Sequence, residues 1–156
     1  MGEVIPKYID GERRLTILLV GYWQEAREGR RCPLARDFTA LVPDELLSDC
    51  FTYEAAAEPA AEGEVGRFRD IGTALARASG IAAAEMALGD VPPDSLLGVM
   101  GKLLGRALQE GTPVLEDGAF VDKSGARQLY RATLLPLENE AGEIALVVGG
   151  ARCNAG

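Results

Sequence analysis

Residues 112–150 read TPVLEDGAFVDKSGARQLYRATLLPLENEAGEIALVVGG, and this stretch decides the fold. Three runs, Thr112–Val121, Arg127–Leu137 and Glu143–Gly150, are rich in β-branched and apolar residues. Lys123-Ser124-Gly125 and Asn139-Glu140-Ala141-Gly142 separate them, each with a glycine for positive φ. Such a run predicts an antiparallel meander. In the last strand Ile144, Leu146 and Val148 share one face and Ala145 and Val147 the other. Both faces are apolar, so the strand is expected to be central and covered on both sides.

Working back from the meander, Asp94 or Ser95 after Pro92-Pro93 opens a helix expected to reach Glu110. Leu96, Leu97, Met100, Leu103, Leu104, Ala107 and Leu108 recur at steps of three and four. Gly98, Gly101 and Gly105 interrupt it, each costing about 0.8–1 kcal/mol against alanine in a helix interior. They imply a close approach, either by packed structure or by a ligand. Residues 81–90 read as another brief helix, and Ala74–Ser79, stopped by Gly80, as a third. Thr73 is read as that helix's N-cap, with an anion at the Gly72-Thr73 junction as the other reading. Val65–Ile71 and Cys50–Ala55 suit two strands. The small, acidic stretch 56–64 is expected to be a loose connection between them.

Residues 30–43 read as irregular between Pro33 and Pro43, with a helical turn after Pro43. Before them, Leu15, Leu18, Leu19, Tyr22, Trp23 and Ala26 lie on one face of a helix over 12–28, with Asp10 as its cap and Gly29 as its stop. That stripe must pack on the body of the domain or on a second copy of itself. The predicted order is one helix, two strands, helices, then three strands. This is an α+β domain with a five-stranded antiparallel sheet and its helices between strands two and three. Residues 1–11 are expected to be a flexible arm, 12–150 a single domain and 151–156 a tail.

Composition bounds the chemistry. The chain has 156 residues, 24 acidic and 16 basic side chains, three cysteines and no histidine. Without histidine there is no Ser-His-Asp or Cys-His nucleophile and no histidine-ligated metal or haem. Cys32, Cys50 and Cys153 are too scattered for a CxxC site. Cys50 reads as a small buried hydrophobe rather than a reactive thiol, and Cys153, in the tail, is open to an intermolecular disulfide in air. The net charge of −8 opposes non-specific nucleic-acid binding. Residues 1–36 nevertheless carry a local excess of arginine around Arg30–Arg36, which fits a solvated surface or an anion or partner site. No run approaches a membrane span and no signal peptide is visible, so a cytoplasmic location is expected.

Several short patches, in order, resemble one family. They are Tyr22-Trp23, Gly29-Arg30, Pro33, Arg36 or Asp37, Pro43 with Leu46-Leu47, and Arg67-Phe68-Arg69-Asp70-Ile71-Gly72-Thr73 with Gly80 later. Over about residues 15–150 the chain resembles a bacterial family of small stand-alone PAS-like domains with a leading Tyr-Trp helix. The Arg36-Asp37 pair sits one position off the family pattern. The resemblance implies a non-catalytic sensory or regulatory module. It would bind a small apolar or acidic metabolite, non-covalently, or a signalling protein. It also implies a homodimer through Leu15, Leu18, Leu19, Tyr22 and Trp23 of the leading helix.

No cofactor is expected, since haem ligation lacks its histidine and no flavin-type cysteine loop surrounds any of the three cysteines. The candidate ligand residues are Arg67, Arg69, Asp70, Met100 and Tyr130. Arginine suits bidentate recognition of a carboxylate, although the shared parity of Arg67 and Arg69 also fits an outward strand face. The alternative is a small cone-fold enzyme of ketosteroid-isomerase-like type, with Asp70 or Tyr130 moving a proton in an apolar pocket.

Overall fold

A computed structural model describes residues 11–56 and 66–156. The expected arm and most of the 56–64 connection lie outside the described residues, as does the proposed cap Asp10. The chain runs α1 (Gly11–Arg27), α2 (Ala35–Leu41), α3 (Asp44–Leu47), β1 (Cys50–Glu54), β2 (Arg67–Ile71), α4 (Thr73–Ala78) and β3 (Met86–Ala87). It continues through α5 (Leu96–Gly101), α6 (Leu104–Glu110), β4 (Val114–Val121), β5 (Arg127–Glu138) and β6 (Ile144–Ala155). The strands form one antiparallel sheet in the order β3-β2-β1-β6-β5-β4.

The meander forms with both glycine turns as expected, Gly125 at φ 87° and Gly142 at φ 82°. β6, whose two faces are both apolar, lies between β1 and β5. It also runs on to Ala155, so the stretch 151–155 is strand, paired with Gln128–Ala132 of β5. In the first turn the Asp122 carboxylate accepts hydrogen bonds from the Ser124 hydroxyl, the Ser124 and Ala126 N–H groups and Gln128 Nε2. The Ser124 hydroxyl above all, with the Ala126 amide, holds this carboxyl below the ordinary carboxylate range. A group with a depressed folded-state pKa stabilises the fold above its unfolded value and loses that contribution as pH falls through the folded one. Asp122→Ala is therefore expected to lower the thermal midpoint at pH 7. The gap to the parent chain should close as pH drops below about 4. Thermal melts across pH check this; a gap independent of pH would refute it.

Two cores sandwich the sheet. On the inner face Phe51, Phe68, Leu75, Leu96, Leu97, Met100 and Leu104 pack with Leu134 and Val147. On the outer face Leu15, Leu19, Trp23 and Ala26 of α1 join Phe38 of α2, Leu135, Leu137 and Val148. Gly149 and Gly150 let both layers close in. A Cβ on Gly149 would meet the Phe51 ring at 2.5 Å, and one on Gly150 would meet Leu19 at 2.5 Å from the other side.

The structure departs from the sequence reading at four further places. Residues 81–90 are not one helix: only Leu88–Asp90 is helical, as a single 3-10 turn. Met86 pairs with Phe68, and flanking backbone bonds from Ile71 to Ala84 and from Leu88 to Gly66 extend the sheet by a sixth strand. Pairing along an open strand edge outweighs alanine's helix propensity here. The expected helix over 94–110 is two, because Lys102 and Leu103 donate to Val99 and Met100, a tighter three-residue spacing that bends the chain. The bend turns both apolar segments onto the same sheet. Residues 35–41 form α2 because Phe38 is fully buried against α1 and the outer face. Finally, Thr73 is the first helical residue rather than the cap. Ser48, from the end of α3, accepts the Ala74 N–H and meets the Thr73 hydroxyl at 3.0 Å.

Candidate functional site

The inner face is packed by its own side chains over the core, with one opening beside Ile71 and Ile81 and another at the β4–β5 turn. There the C-terminal end of α4, the segment before α5 and the β4–β5 turn surround a cavity of about 400 Å³. Its wall includes Phe120, Pro92 and Cys153, and Arg77 and Lys123 stand at its rim. Each position follows from local structure. Arg77 is in the last turn of α4, before Gly80 at φ 69°. Ser79 is buried, and its hydroxyl accepts the Leu97 N–H at 3.0 Å. Ser95 caps α5 by accepting the Gly98 N–H and donates to the Pro92 carbonyl. Asp94 and Asp122 also line the cavity, but the Asp122 carboxylate is taken up by its own turn.

The residues picked from sequence do not converge. Arg67 and Asp70 fall on the outer face, opposite Glu54 and Thr52. Arg67 pairs with Glu85 at 3.2 Å and Arg69 with Glu54 at 2.8 Å. The irregularity of register between Thr52 and Tyr53 places Arg69 and Asp70 side by side in solvent. Asp70 borders a separate groove with Thr39, Leu47 and Thr52. Met100 is fully buried in the inner core. Tyr130 is on the inner face behind the cavity, its ring 6.1 Å from Phe120, and burial pushes its phenol pKa up. Of the two proton-transfer candidates of the enzyme alternative, Asp70 is thus exposed on the outer face, outside any apolar pocket, and Tyr130 lies on the opposite face beside Phe120. Sequence reading missed Arg77 and Lys123. The signal was present in Gly80 and in the Lys123-Ser124-Gly125 turn, two loops bounding the same end of one sheet face.

The basic segment Arg30–Arg36 is spent within the chain. Arg30 pairs with Glu138 and Arg36 with Glu140 of the β5–β6 hairpin. Arg31 reaches the Glu110 carbonyl at 3.5 Å. Cys50 is buried and donates to the Leu46 carbonyl, and burial pushes its thiol up to about 12. Cys153 belongs to β6 rather than to a tail and faces the cavity.

A family model described as PAS domain matches residues 12–151. The chain belongs to the PAS domain family. PAS domains are sensory and regulatory modules rather than catalysts, and this chain is such a module. Among solved structures, it is similar to a mutant of Vivid, at 18% identity over 85% of this chain and 96% of that one, with a TM-score of 0.49. The PAS domain of the fruit-fly ELK potassium channel is similar at 12% identity, over 70% and 89% of the two chains, with a TM-score of 0.45. VqmA bound to DPO is similar at 12% identity, over 67% of this chain, with a TM-score of 0.45. This chain spans about half of the VqmA chain, covering 52% of it. The search of curated proteins finds no match. No helix among the described residues is long and apolar enough to cross a membrane.

Proposed function

We propose that this PAS domain senses a small, weakly acidic metabolite with an apolar body, bound non-covalently in the cavity between α4 and the β4–β5 turn. The observation that supports this reading is that Arg77 and Lys123 both line a cavity whose wall contains Phe120 and Pro92. An apolar wall with a few polar groups at its mouth is the usual form of a small-molecule site. Tyr130 backs the wall through Phe120, and Met100 supports it from the core. Arg67, Arg69 and Asp70 have no part in it.

The signal leaves through the sheet. β5 and β6 form the inner wall beside the cavity, and their outer faces carry α1. A ligand that shifts the β4–β5 turn changes how α1 docks. The module acts as a bacterial, cytoplasmic homodimer and passes its state to a signalling protein. VqmA, of which about half is similar to this chain, is described bound to DPO and, in the absence of target DNA, as a dimer.

Native mass spectrometry of freshly purified protein tests the reading. A retained small molecule, released on denaturation, is expected. A charge-assisted hydrogen bond contributes about 1.5–3 kcal/mol, so Lys123→Glu and Arg77→Glu should each lower occupancy about tenfold or more. An empty protein across conditions would overturn the sensor reading in favour of a protein-interaction role.

A further inference from the structure

β4 is the last strand of the sheet, and among the described residues no strand pairs with its far side. It is eight residues long and unbulged. Long open edges are normally blunted, because their unpaired N–H and C=O groups template pairing with another chain. On its outer face β4 exposes Leu115 at 55% and Val121 at 59%, beside Leu129 of β5 at 40%. The chain spends its apolar α1 stripe elsewhere, on its own sheet. We propose that β4 pairs antiparallel with β4 of a second copy, about a two-fold axis at Gly118, joining two sheets into one.

The sequence of β4 selects this register. Antiparallel ladder bonding about a two-fold axis brings residues of equal parity opposite each other, and opposed side chains share a face. Centred on Gly118, Leu115 faces the second copy's Val121, and this happens twice. Asp117 faces Ala119, and Glu116 faces Phe120. A centre on Glu116 or Asp117 would set like carboxylates directly opposite, which is destabilising. A centre on Ala119 would put Asp117 against Val121 and leave Leu115 without an apolar partner. The two carboxylates of β4 are already compensated within their own chain. Asp117 pairs with Arg131 at 3.0 Å and Glu116 with Arg106 at 3.6 Å. An edge of one strand is a small interface, so assembly in the micromolar range is expected.

This inference rests on the homodimer reading above and specifies its surface. The test is sedimentation velocity of the full chain over about 1–300 µM, with circular dichroism to verify folding. Leu115→Lys and Val121→Glu alter exposed side chains, and each should weaken the dimer about tenfold or more. The double variant L115K/V121E sets Lys opposite Glu across the axis and should restore the dimer to within about threefold of the parent. A dimer indifferent to both single changes, or one the double change fails to restore, overturns the β4 pairing and leaves the homodimer standing on another surface. A chain monomeric throughout overturns both.

Discussion

Trp23→Ala is expected to lower the free energy of unfolding by about 3–5 kcal/mol, the range for emptying a large buried aromatic site. Trp23 is almost fully buried, between α1 and the outer face of β5 and β6. Its indole N–H also donates to the Pro136 carbonyl at 2.8 Å, and the bond is buried. Alanine thus opens a cavity and strips a buried carbonyl of its donor together. Trp23→Phe separates the two effects. It keeps most of the apolar volume and loses the donor, for which about 1–3 kcal/mol is expected. The measurement is urea denaturation followed by far-UV circular dichroism, since Trp23 is the chain's one tryptophan and its fluorescence disappears with it. The loss should be independent of protein concentration, because the helix docks on its own sheet. A loss below about 1 kcal/mol, or one that grows on dilution, would mean that the stripe packs against a second copy.

The second large effect reverses a helix-propensity rule. Gly98→Ala should destabilise the chain, although alanine is favoured in helices by about 0.8–1 kcal/mol. A Cβ on Gly98 would stand 2.1 Å from the Pro92 carbonyl oxygen and 2.9 Å from the Pro93 Cα, both backbone atoms. That segment cannot withdraw freely, because the Ser95 hydroxyl donates to the same Pro92 carbonyl while accepting the Gly98 N–H. Overpacking of this kind typically costs about 1–3 kcal/mol, and the lost cap adds to it. Gly105→Ala is the control. Nothing lies within 4 Å of its Cβ position, so a gain of up to about 1 kcal/mol is expected. Thermal melts of the two variants should move in opposite directions; a stabilised Gly98→Ala would refute the close approach. Gly98 also borders the Pro92–Ser95 segment of the cavity wall, so the same substitution should weaken any ligand held there.

These cases show where the sequence was legible. The three glycines of the 94–110 segment pointed to a close approach, yet only the fold distinguishes Gly98, wedged on backbone, from Gly105, in open space. The α1 stripe was plain from its spacing, but its partner was not. Burial of Leu15, Leu19 and Trp23 on the chain's own sheet takes them away from the expected dimer surface, while Leu18 and Tyr22 remain only half-covered. The homodimer proposal therefore moves to another surface. At β2 the alternation failed as a guide because the register shift opposite Tyr53 puts Arg69 and Asp70 on the solvent side together. The cavity was invisible for a different reason. Arg77 and Lys123 are 46 positions apart in sequence and meet only because α4 and the β4–β5 turn bound the same end of the inner face.

The sequence by itself determined the elements whose signals are local. Period-two alternation and turn glycines set the meander, and steps of three and four set α1. The doubly apolar last strand announced its central place, and the absence of histidine removed whole classes of chemistry. Tertiary structure decided what each face meets. It gave α1 to its own sheet, split one helix into two, drew Met86 into a sixth strand and left β4 open at the edge. The physical reason is that periodicity specifies which side of an element is buried, whereas the burying partner, the satisfied carbonyl and the unpaired edge depend on contacts between residues far apart in the chain.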